Sequence, residues 1–246
     1  MRKTFDIEGR DSLLIVLGDS WTEGVGAYDS DLIEQFNKKK INDQQLYDIS
    51  VERRSFFYGG WAYKLRTILN YDFINLGLGG GSNSGAAKRL LNEFVYPANT
   101  KYLNVLVLWL LTDDARISFY SYGILHDYHA GNSLNHSITK AYLSDVYADY
   151  KDGLLETKFY LKAVESFCKS NNFNFAYGTA FNNIDDLNQY YQSDNCIHNY
   201  IEERSAKEML FWQEHWAHCG HPSNLGHQVI ADRFRAILAN HFQGRF

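Results

Sequence analysis

The sequence predicts an α/β protein, a three-layer α/β/α sandwich built on a mainly parallel sheet. Short apolar runs alternate along the chain with longer stretches of helical spacing, as in proteins whose helices cover both faces of a sheet. The 246 residues include only 2 prolines against 18 glycines, and no linker-like stretch separates two cores. We therefore expect a single domain over residues 1–246.

The individual elements are predicted from apolar runs that are bounded by turn signals or by helical patterns. Buried parallel strands are expected at 13–17, 73–76, 103–110 and 173–177. Helices are expected at 61–69, 84–94, 154–170 and 224–241. Ligands of such sheets bind outside the carboxyl ends of the strands, so the segments that follow the strands are expected to carry the site.

Two long stretches, 27–58 and 119–150, do not fit this alternation and are predicted to be insertions after strand ends. Loops of this length are uncommon unless they act as lids or binding walls or contain helices of their own. Plain surface elaboration is the alternative.

Composition and charge exclude several classes of protein. Lys+Arg 24 against Asp+Glu 29 gives a net charge of −5, which argues against nucleic-acid binding. The 3 cysteines form no CxxC pair, which indicates a reduced compartment, and Cys168 and Cys196 are expected to be small buried hydrophobes. No segment approaches the roughly 20 apolar residues of a membrane span, and the run 13–17 is too short for a signal-peptide core.

The first candidate for chemistry is the segment 18–24, which directly follows the first predicted strand. It places Ser20 on a sharp turn at the carboxyl edge of the sheet, where a nucleophile is well placed. The backbone N–H of Ser20 can point there toward a developing oxyanion. An ordinary turn or helix cap formed by Asp19 and Ser20 is the alternative.

The second candidate is the glycine-rich segment 77–85 after the second strand. It lacks the GxGxxG spacing of dinucleotide sites and the Gly-Lys-Ser/Thr of phosphate loops, so no cofactor is expected. The amide of Gly80 and the side chain of Asn83 are instead candidate oxyanion donors. The alternative is that these glycines serve only the tight packing of the strand against the following helix.

The third candidate is His221, which stands immediately before Pro222 on the segment that leads into the last helix. A histidine fixed at this place can face the same sheet edge as Ser20 and act as its general base.

These three segments together resemble the SGNH (GDSL) hydrolases, a family of serine esterases on a flavodoxin-like fold, in the correct order over nearly the whole chain. The run 18–20 resembles the nucleophile block, Gly80 the oxyanion glycine, and His221-Pro222 with Gly226 the histidine block. The resemblance implies that Ser20 is the nucleophile and His221 its base. The amides of Ser20 and Gly80 are then the oxyanion donors.

The chain departs from this family in two places. Its third block, 110–116, lacks the usual glycine and asparagine, and in this it resembles family variants that include phage-encoded members. The resemblance then implies that Asn83 replaces the missing asparagine as oxyanion donor. Thr112, Arg116 and Asp19 are the expected supporting residues. The position of the triad acid, three residues before the histidine, holds His218. A backbone carbonyl or the carboxylate of Glu214 is therefore expected to support His221.

Two other functions remain open from the sequence. His215, His218, Cys219 and His221 lie within seven residues and could hold zinc with a bound water as nucleophile. A carbohydrate-binding relative without catalysis would also keep the fold. The remaining histidines, His227 among them, are expected in surface or capping roles.

The resemblance favours hydrolysis of short acyl esters, such as acetyl esters, of a carbohydrate or similar alcohol. Aromatic residues make up 16% of the chain, more than a core usually needs, which is typical of proteins with sugar-binding grooves. The expected partner is a small-molecule or glycan ester, without nucleic acid or membrane. The expected location is cytoplasmic or virion-associated, and the sequence leaves the oligomeric state open.

Overall fold

The four predicted strands form the parallel part of one five-stranded sheet. The computed structural model describes residues 4–93, 102–112, 116–121, 124–128, 150–181, 193–196, 206–210 and 212–242. Its strands are β1 (Thr4–Asp6), β2 (Ser12–Leu17), β3 (Asp72–Asn75), β4 (Asn104–Leu111), β5 (Ile117–Ser121), β6 (Ile124–Tyr128) and β7 (Asn174–Thr179). The order in the large sheet is β1-β3-β2-β4-β7, and only β1, at one edge, runs antiparallel to its neighbour.

The helices cover both faces of this sheet, which confirms the predicted three-layer α/β/α sandwich. They are α1 (Ser20–Glu23), α2 (Ser30–Asn37), α3 (Asp43–Glu52), α4 (Ser55–Gly59), α5 (Trp61–Leu69), α6 (Asn83–Lys88), α7 (Tyr150–Ser170) and α8 (Asn224–His241). The boundaries of α5 and α8 are those predicted from the sequence. The predicted helix 84–94 is α6 followed by a wider π turn, Arg89–Glu93.

The central strand β2 shows how the two cores are separated. Its side chains alternate between the faces, and all five from Leu13 to Leu17 are fully buried. Leu14 and Val16 belong to the cluster that contains residues of α5 and α8. Leu13, Ile15 and Leu17 belong to the cluster on the opposite face, with residues of α6 and α7. A continuous apolar run is therefore needed here, because both faces are covered.

The insertion 27–58 contains three helices, α2, α3 and α4, with a small core of their own. Leu32, Leu46 and Phe56 are buried in this core together with Tyr28. The N-terminus of α3 is fixed by a capping box in which Asn42 and Gln45 exchange hydrogen bonds of 2.9 Å. Of the second insertion, 119–150, the structure describes part of the hairpin β5–β6 and the first residue of α7; residues 129–149 lie outside the described part.

The structure also bears on the predictions for the cysteines and for membrane-spanning segments. Cys168 and Cys196 are buried, as predicted, and burial raises the pKa of the Cys168 thiol to about 12. Among the described residues, none of the helices combines the length and apolarity that crossing a membrane requires.

The connection between β1 and β2 is held by the fully buried carboxylate of Asp72 at the start of β3. Its oxygens accept hydrogen bonds from the backbone amides of Glu8 (2.8 Å), Gly9 (3.2 Å) and Arg10 (3.2 Å), and from the hydroxyl of Tyr102 (3.0 Å). These donors replace the water that the buried carboxylate of Asp72 has lost.

We expect Asp72→Asn to lower the free energy of unfolding by about 2 to 4 kcal/mol, because an amide nitrogen then faces backbone N–H groups that need an acceptor. Urea denaturation measures this loss. The control Asp232→Asn changes an exposed carboxylate that accepts from Gln228 on α8, and should change stability by less than about 0.5 kcal/mol. Equal effects of the two substitutions would show that stability does not depend on the hydrogen bonds to Asp72.

Candidate active site

Ser20 lies at the carboxyl end of β2, on a turn that needs glycine at position 18. A Cβ atom at Gly18, whose φ is +151°, would lie 2.2 Å from the hydroxyl of Thr22 and 2.8 Å from the carbonyl of Leu110. Asp19 then caps the short helix α1, because its side chain accepts a hydrogen bond of 3.0 Å from the amide of Trp21. The backbone is thereby fixed on both sides of Ser20.

The structure brings Ser20 and His221 together. The hydroxyl Oγ of Ser20 lies 3.0 Å from Nε2 of His221, within hydrogen-bonding distance. The histidine loop packs closely on the nucleophile segment, since a Cβ atom at Gly26 would lie 2.9 Å from Cβ of His221 and 2.4 Å from the carbonyl of Pro222. This contact explains how two residues 201 positions apart hold a fixed distance.

The second ring nitrogen of His221 faces the backbone. Its Nδ1 lies 3.2 Å from the carbonyl oxygen of Cys219. Since a carbonyl only accepts hydrogen bonds, Nδ1 carries the proton in the neutral ring, and Nε2 keeps its lone pair toward Ser20. This is the tautomer that a general base needs.

The thiol of Cys219 influences the pKa of His221. Burial alone lowers the pKa of His221, but hydrogen bonding to Cys219, the charge of its sulfur and the charge of Asp19 outweigh burial, so the pKa is raised above its usual value. Burial raises the pKa of Cys219, and its hydrogen bonds to His221 and Tyr28 outweigh that effect, so this pKa is lowered. The hydroxyl of Tyr28 lies 3.6 Å from Sγ of Cys219.

Neither His218, which occupies the position of the triad acid, nor Glu214 has a hydrogen bond to the ring of His221 among the described contacts. Nε2 of His218 lies 2.9 Å from Oδ1 of Asp43 at the start of α3, and its ring stacks on Phe36 at 4.5 Å. Glu214 stands in a 3₁₀ turn, where its carbonyl accepts a hydrogen bond of 2.5 Å from the hydroxyl of Ser223. Of the two alternatives left open by the sequence, a backbone carbonyl or Glu214, the backbone carbonyl is the group located at Nδ1.

Asp19, Thr112 and Arg116, predicted as supporting residues, form one network. The Oδ2 atom of the fully buried Asp19 accepts from the hydroxyl of Thr112 at 2.7 Å and from Nη1 of Arg116 at 2.9 Å. The same Nη1 donates to the carbonyl of Gly81 at 3.1 Å. The network therefore joins the nucleophile turn, the end of β4 and the glycine-rich loop.

The glycine-rich loop lies beside Ser20. A Cβ atom at Gly79 would lie 3.9 Å from Cβ of Ser20, and the amide of Gly79 donates to the carboxylate of Glu23 at 2.6 Å. Within the described part of the chain, the amides of Ser20 and Gly80 have no acceptor. They are therefore available to a substrate oxygen.

Asn83, predicted as an oxyanion donor, is buried and holds the end of β4. Its amide nitrogen donates to the carbonyl of Thr112 at 3.1 Å and to the hydroxyl of Thr157 at 3.2 Å. Its oxygen accepts from the amide of Thr112 at 2.8 Å. In this geometry the side-chain amide protons of Asn83 already have acceptors. A role of Asn83 in binding an oxyanion stays a prediction, and it requires these hydrogen bonds to break.

Two buried residues near the site, Arg89 and His227, were not predicted from the sequence to contribute to its structure. Arg89, fully buried, donates to the carbonyls of Leu76 at 3.0 Å and of Gly18 at 3.3 Å. His227, also fully buried, caps α5 by accepting from the amide of Trp61 at 3.2 Å, and burial lowers its pKa to about 3. A capping role for His227 was among the expectations, but its partner is distant in the chain and leaves no sequence signal.

The proposed zinc ligands do not converge on one point. Nδ1 of His215 accepts from the amide of Trp212 at 3.3 Å, His218 faces Asp43, and His221 faces Ser20. Among the residues that the structure describes, no group of three or more His, Cys, Asp or Glu side chains is arranged to hold a metal ion.

No protein-family model matches the chain, and no curated protein matches it. Among solved structures, one described as a lipolytic protein of the G-D-S-L family from Desulfitobacterium hafniense has a TM-score of 0.49 at 11% identity, over 92% of this chain and 98% of that chain. A lipase from a goat rumen metagenome has a TM-score of 0.42 at 14% identity, over 92% and 96% of the two chains. An acetyl xylan esterase from Butyrivibrio proteoclasticus has a TM-score of 0.47 at 12% identity, over 97% and 66%. Likenesses this distant do not by themselves assign a function to the chain.

We expect Asn83→Ala to lower the free energy of unfolding by about 2 to 3 kcal/mol, because the substitution leaves the backbone of Thr112 without its partner. Asn171→Ala, an exposed site whose amide donates to the carbonyl of Phe167, should cost under about 1 kcal/mol. Thermal unfolding and kcat are measured on both. A loss of roughly 100- to 1000-fold in kcat at unchanged stability would instead place Asn83 in the oxyanion hole.

Proposed function

We propose that this chain is a serine hydrolase that cleaves carboxylic esters through an acyl-enzyme on Ser20. The observation that carries the proposal is the 3.0 Å contact between Oγ of Ser20 and Nε2 of His221 at the carboxyl end of the sheet. A hydroxyl is a weak nucleophile until a neighbouring base takes its proton, and this pair supplies both groups.

In the acylation step, Oγ of Ser20 attacks the ester carbonyl carbon while its proton moves to Nε2 of His221. The carbonyl oxygen becomes an oxyanion, toward which the amides of Ser20 and Gly80 donate hydrogen bonds. The bond from carbon to the alcohol oxygen then breaks, and the proton on Nε2 passes to the departing alcohol. Ser20 is left as an ester of the acyl group.

In the deacylation step, water replaces the alcohol. His221 takes a proton from the water, the resulting hydroxide attacks the acyl carbon, and the proton returns to Oγ of Ser20 as the acid leaves. The carbonyl of Cys219 holds the ring throughout by accepting from Nδ1 at 3.2 Å. The pair thus works as a dyad whose ring orientation is set by the backbone rather than by a carboxylate.

We infer further that the substrate is a short acyl ester, such as an acetyl ester, of a carbohydrate or similar polar alcohol. The aromatic content of 16% supports this, as does Trp212, which is 66% exposed on the segment that leads to His221. An exposed indole is a suitable surface for the apolar face of a sugar ring.

The serine mechanism predicts that Ser20→Ala loses at least about 1000-fold in kcat on p-nitrophenyl acetate, because the group that forms the acyl-enzyme is gone. Labelling by a fluorophosphonate should disappear in the same variant. Ser193→Ala, which removes a hydroxyl that contacts Glu165, should keep both activity and labelling.

Hydrolysis by folded Ser20→Ala protein at the wild-type rate would refute the serine mechanism. Wild-type protein that neither hydrolyses esters nor reacts with the phosphonate would instead support the non-catalytic carbohydrate-binding alternative.

The pH dependence follows from the raised pKa of His221. The base must be neutral to accept a proton, so kcat/KM should fall as pH drops through this pKa, with a midpoint above about 6.5. Cys219→Ala removes the thiol that raises the pKa and should move the midpoint to lower pH. His218→Gln, whose ring faces Asp43, should leave the midpoint in place. A wild-type midpoint below about 6 would contradict the raised pKa of His221.

A further inference from the structure

A cavity of about 600 Å³ lies between α3 and the loop that follows β3. Its size falls within the range of about 300 to 1000 Å³ that is usual for small-molecule sites. Tyr47, Asp48 and Glu52 of α3 form one wall, and Leu78 and Gly79 belong to the opposite wall. The mechanism proposed above does not use this cavity.

The cavity lies beside the nucleophile turn, because two of its lining residues are close to Ser20 or share its helix. Gly79 lines it and also approaches Ser20, since a Cβ atom at Gly79 would lie 3.9 Å from Cβ of Ser20. Glu23 lines it from the last position of α1, the helix that begins at Ser20, and accepts a 2.6 Å hydrogen bond from the amide of Gly79. A substrate whose ester carbonyl reaches Ser20 can therefore place a neighbouring part of its structure in the cavity.

The residues that the structure shows lining the cavity are suited to a positive charge. Glu23, Asp48 and Glu52 contribute carboxylates, and no lysine, arginine or histidine is among the described lining residues. Tyr47 adds an aromatic ring that is 41% exposed, and such a ring attracts cations through its face. Carboxylates and an aromatic ring in one cavity repel an anionic ligand and favour a cationic one.

We propose that this cavity is the subsite for the alcohol part of the ester, and that it selects alcohols that carry a positive charge, such as amino-bearing sugars or amino alcohols. The proposal rests on the proposed ester hydrolysis at Ser20. Besides the carboxylates, it rests on the cavity itself, on the nearness of Gly79 to Ser20 and on the exposed ring of Tyr47.

The first test compares two acetate esters that differ in charge but hardly in shape, acetylcholine and its uncharged isostere 3,3-dimethylbutyl acetate. With wild-type protein at low ionic strength, kcat/KM for the cationic ester should be higher by about three- to tenfold, the scale of two exposed ion pairs. The preference should vanish in 1 M salt, which screens exposed charges. In the double variant Asp48→Asn/Glu52→Gln the ratio should fall to near one.

Asp232→Asn serves as the matched control. Asp232 accepts from Gln228 one helical turn away, as Asp48 accepts from Gln44, but it lies on α8 and is not among the lining residues. This variant should keep the wild-type ratio. A preference that falls equally in both variants would reflect overall charge and would overturn the subsite.

The second test is an NMR titration of the full chain with choline, the alcohol that acetylcholine releases, in wild-type protein and in the double variant. Binding that is lost in the double variant supports the cavity independently of turnover. Hydrolysis of both esters without charge preference, together with no choline binding, overturns the subsite and leaves the serine hydrolase standing. If no ester is hydrolysed but choline binds and depends on Asp48 and Glu52, the hydrolase proposal fails and the cation site remains.

Discussion

The buried carboxylate of Asp19 is the interaction on which the arrangement of the site depends. A fully buried charge is costly unless donors surround it, and this one is met by an amide, a hydroxyl and a guanidinium. The three donors come from different parts of the chain: Trp21 on the nucleophile turn, Thr112 at the end of β4, and Arg116 beyond it. If any one of them moves away, the buried carboxylate loses one of its three donors. The charge therefore fixes the relative position of segments that the sheet alone would leave free.

The same network bears on the missing triad acid. Asp19 contributes to the raised pKa of His221, but its charge is paired with Arg116 at 2.9 Å, so only part of its field reaches the imidazole. The carbonyl of Cys219 orients the ring but carries no full charge to stabilise an imidazolium. The orienting and the charge-stabilising roles, which a triad carboxylate combines, are thus divided here between a backbone dipole and more distant charges.

The sequence predicted the parallel strands and covering helices closely because each has a strong local signal: a continuous apolar run for a strand buried on both faces, and a 3.6-residue period for a helix. Strand β1 was missed because three residues at an antiparallel edge carry no periodicity. For the site, the order of the motifs identified Ser20 and His221 as a candidate pair. The directions of Asn83 and His218 were not predictable, since partners distant in the chain, Thr157 and Asp43, determine them.

The insertion that holds α3 links the cavity proposed as a subsite to the histidine loop. At the start of α3, Asp43 pairs with His218, which stands three residues before the proposed base His221. At its other end, Asp48 and Glu52 form the wall of the cavity beside the glycine-rich loop. Between them, Leu46 is fully buried in the small core with Leu32 and Phe56, which anchors α3 by packing. Because α3 is rigid and anchored by Leu46, the distance between its two ends is fixed. The packing of this one helix therefore positions both the cavity wall and the contact with the histidine loop.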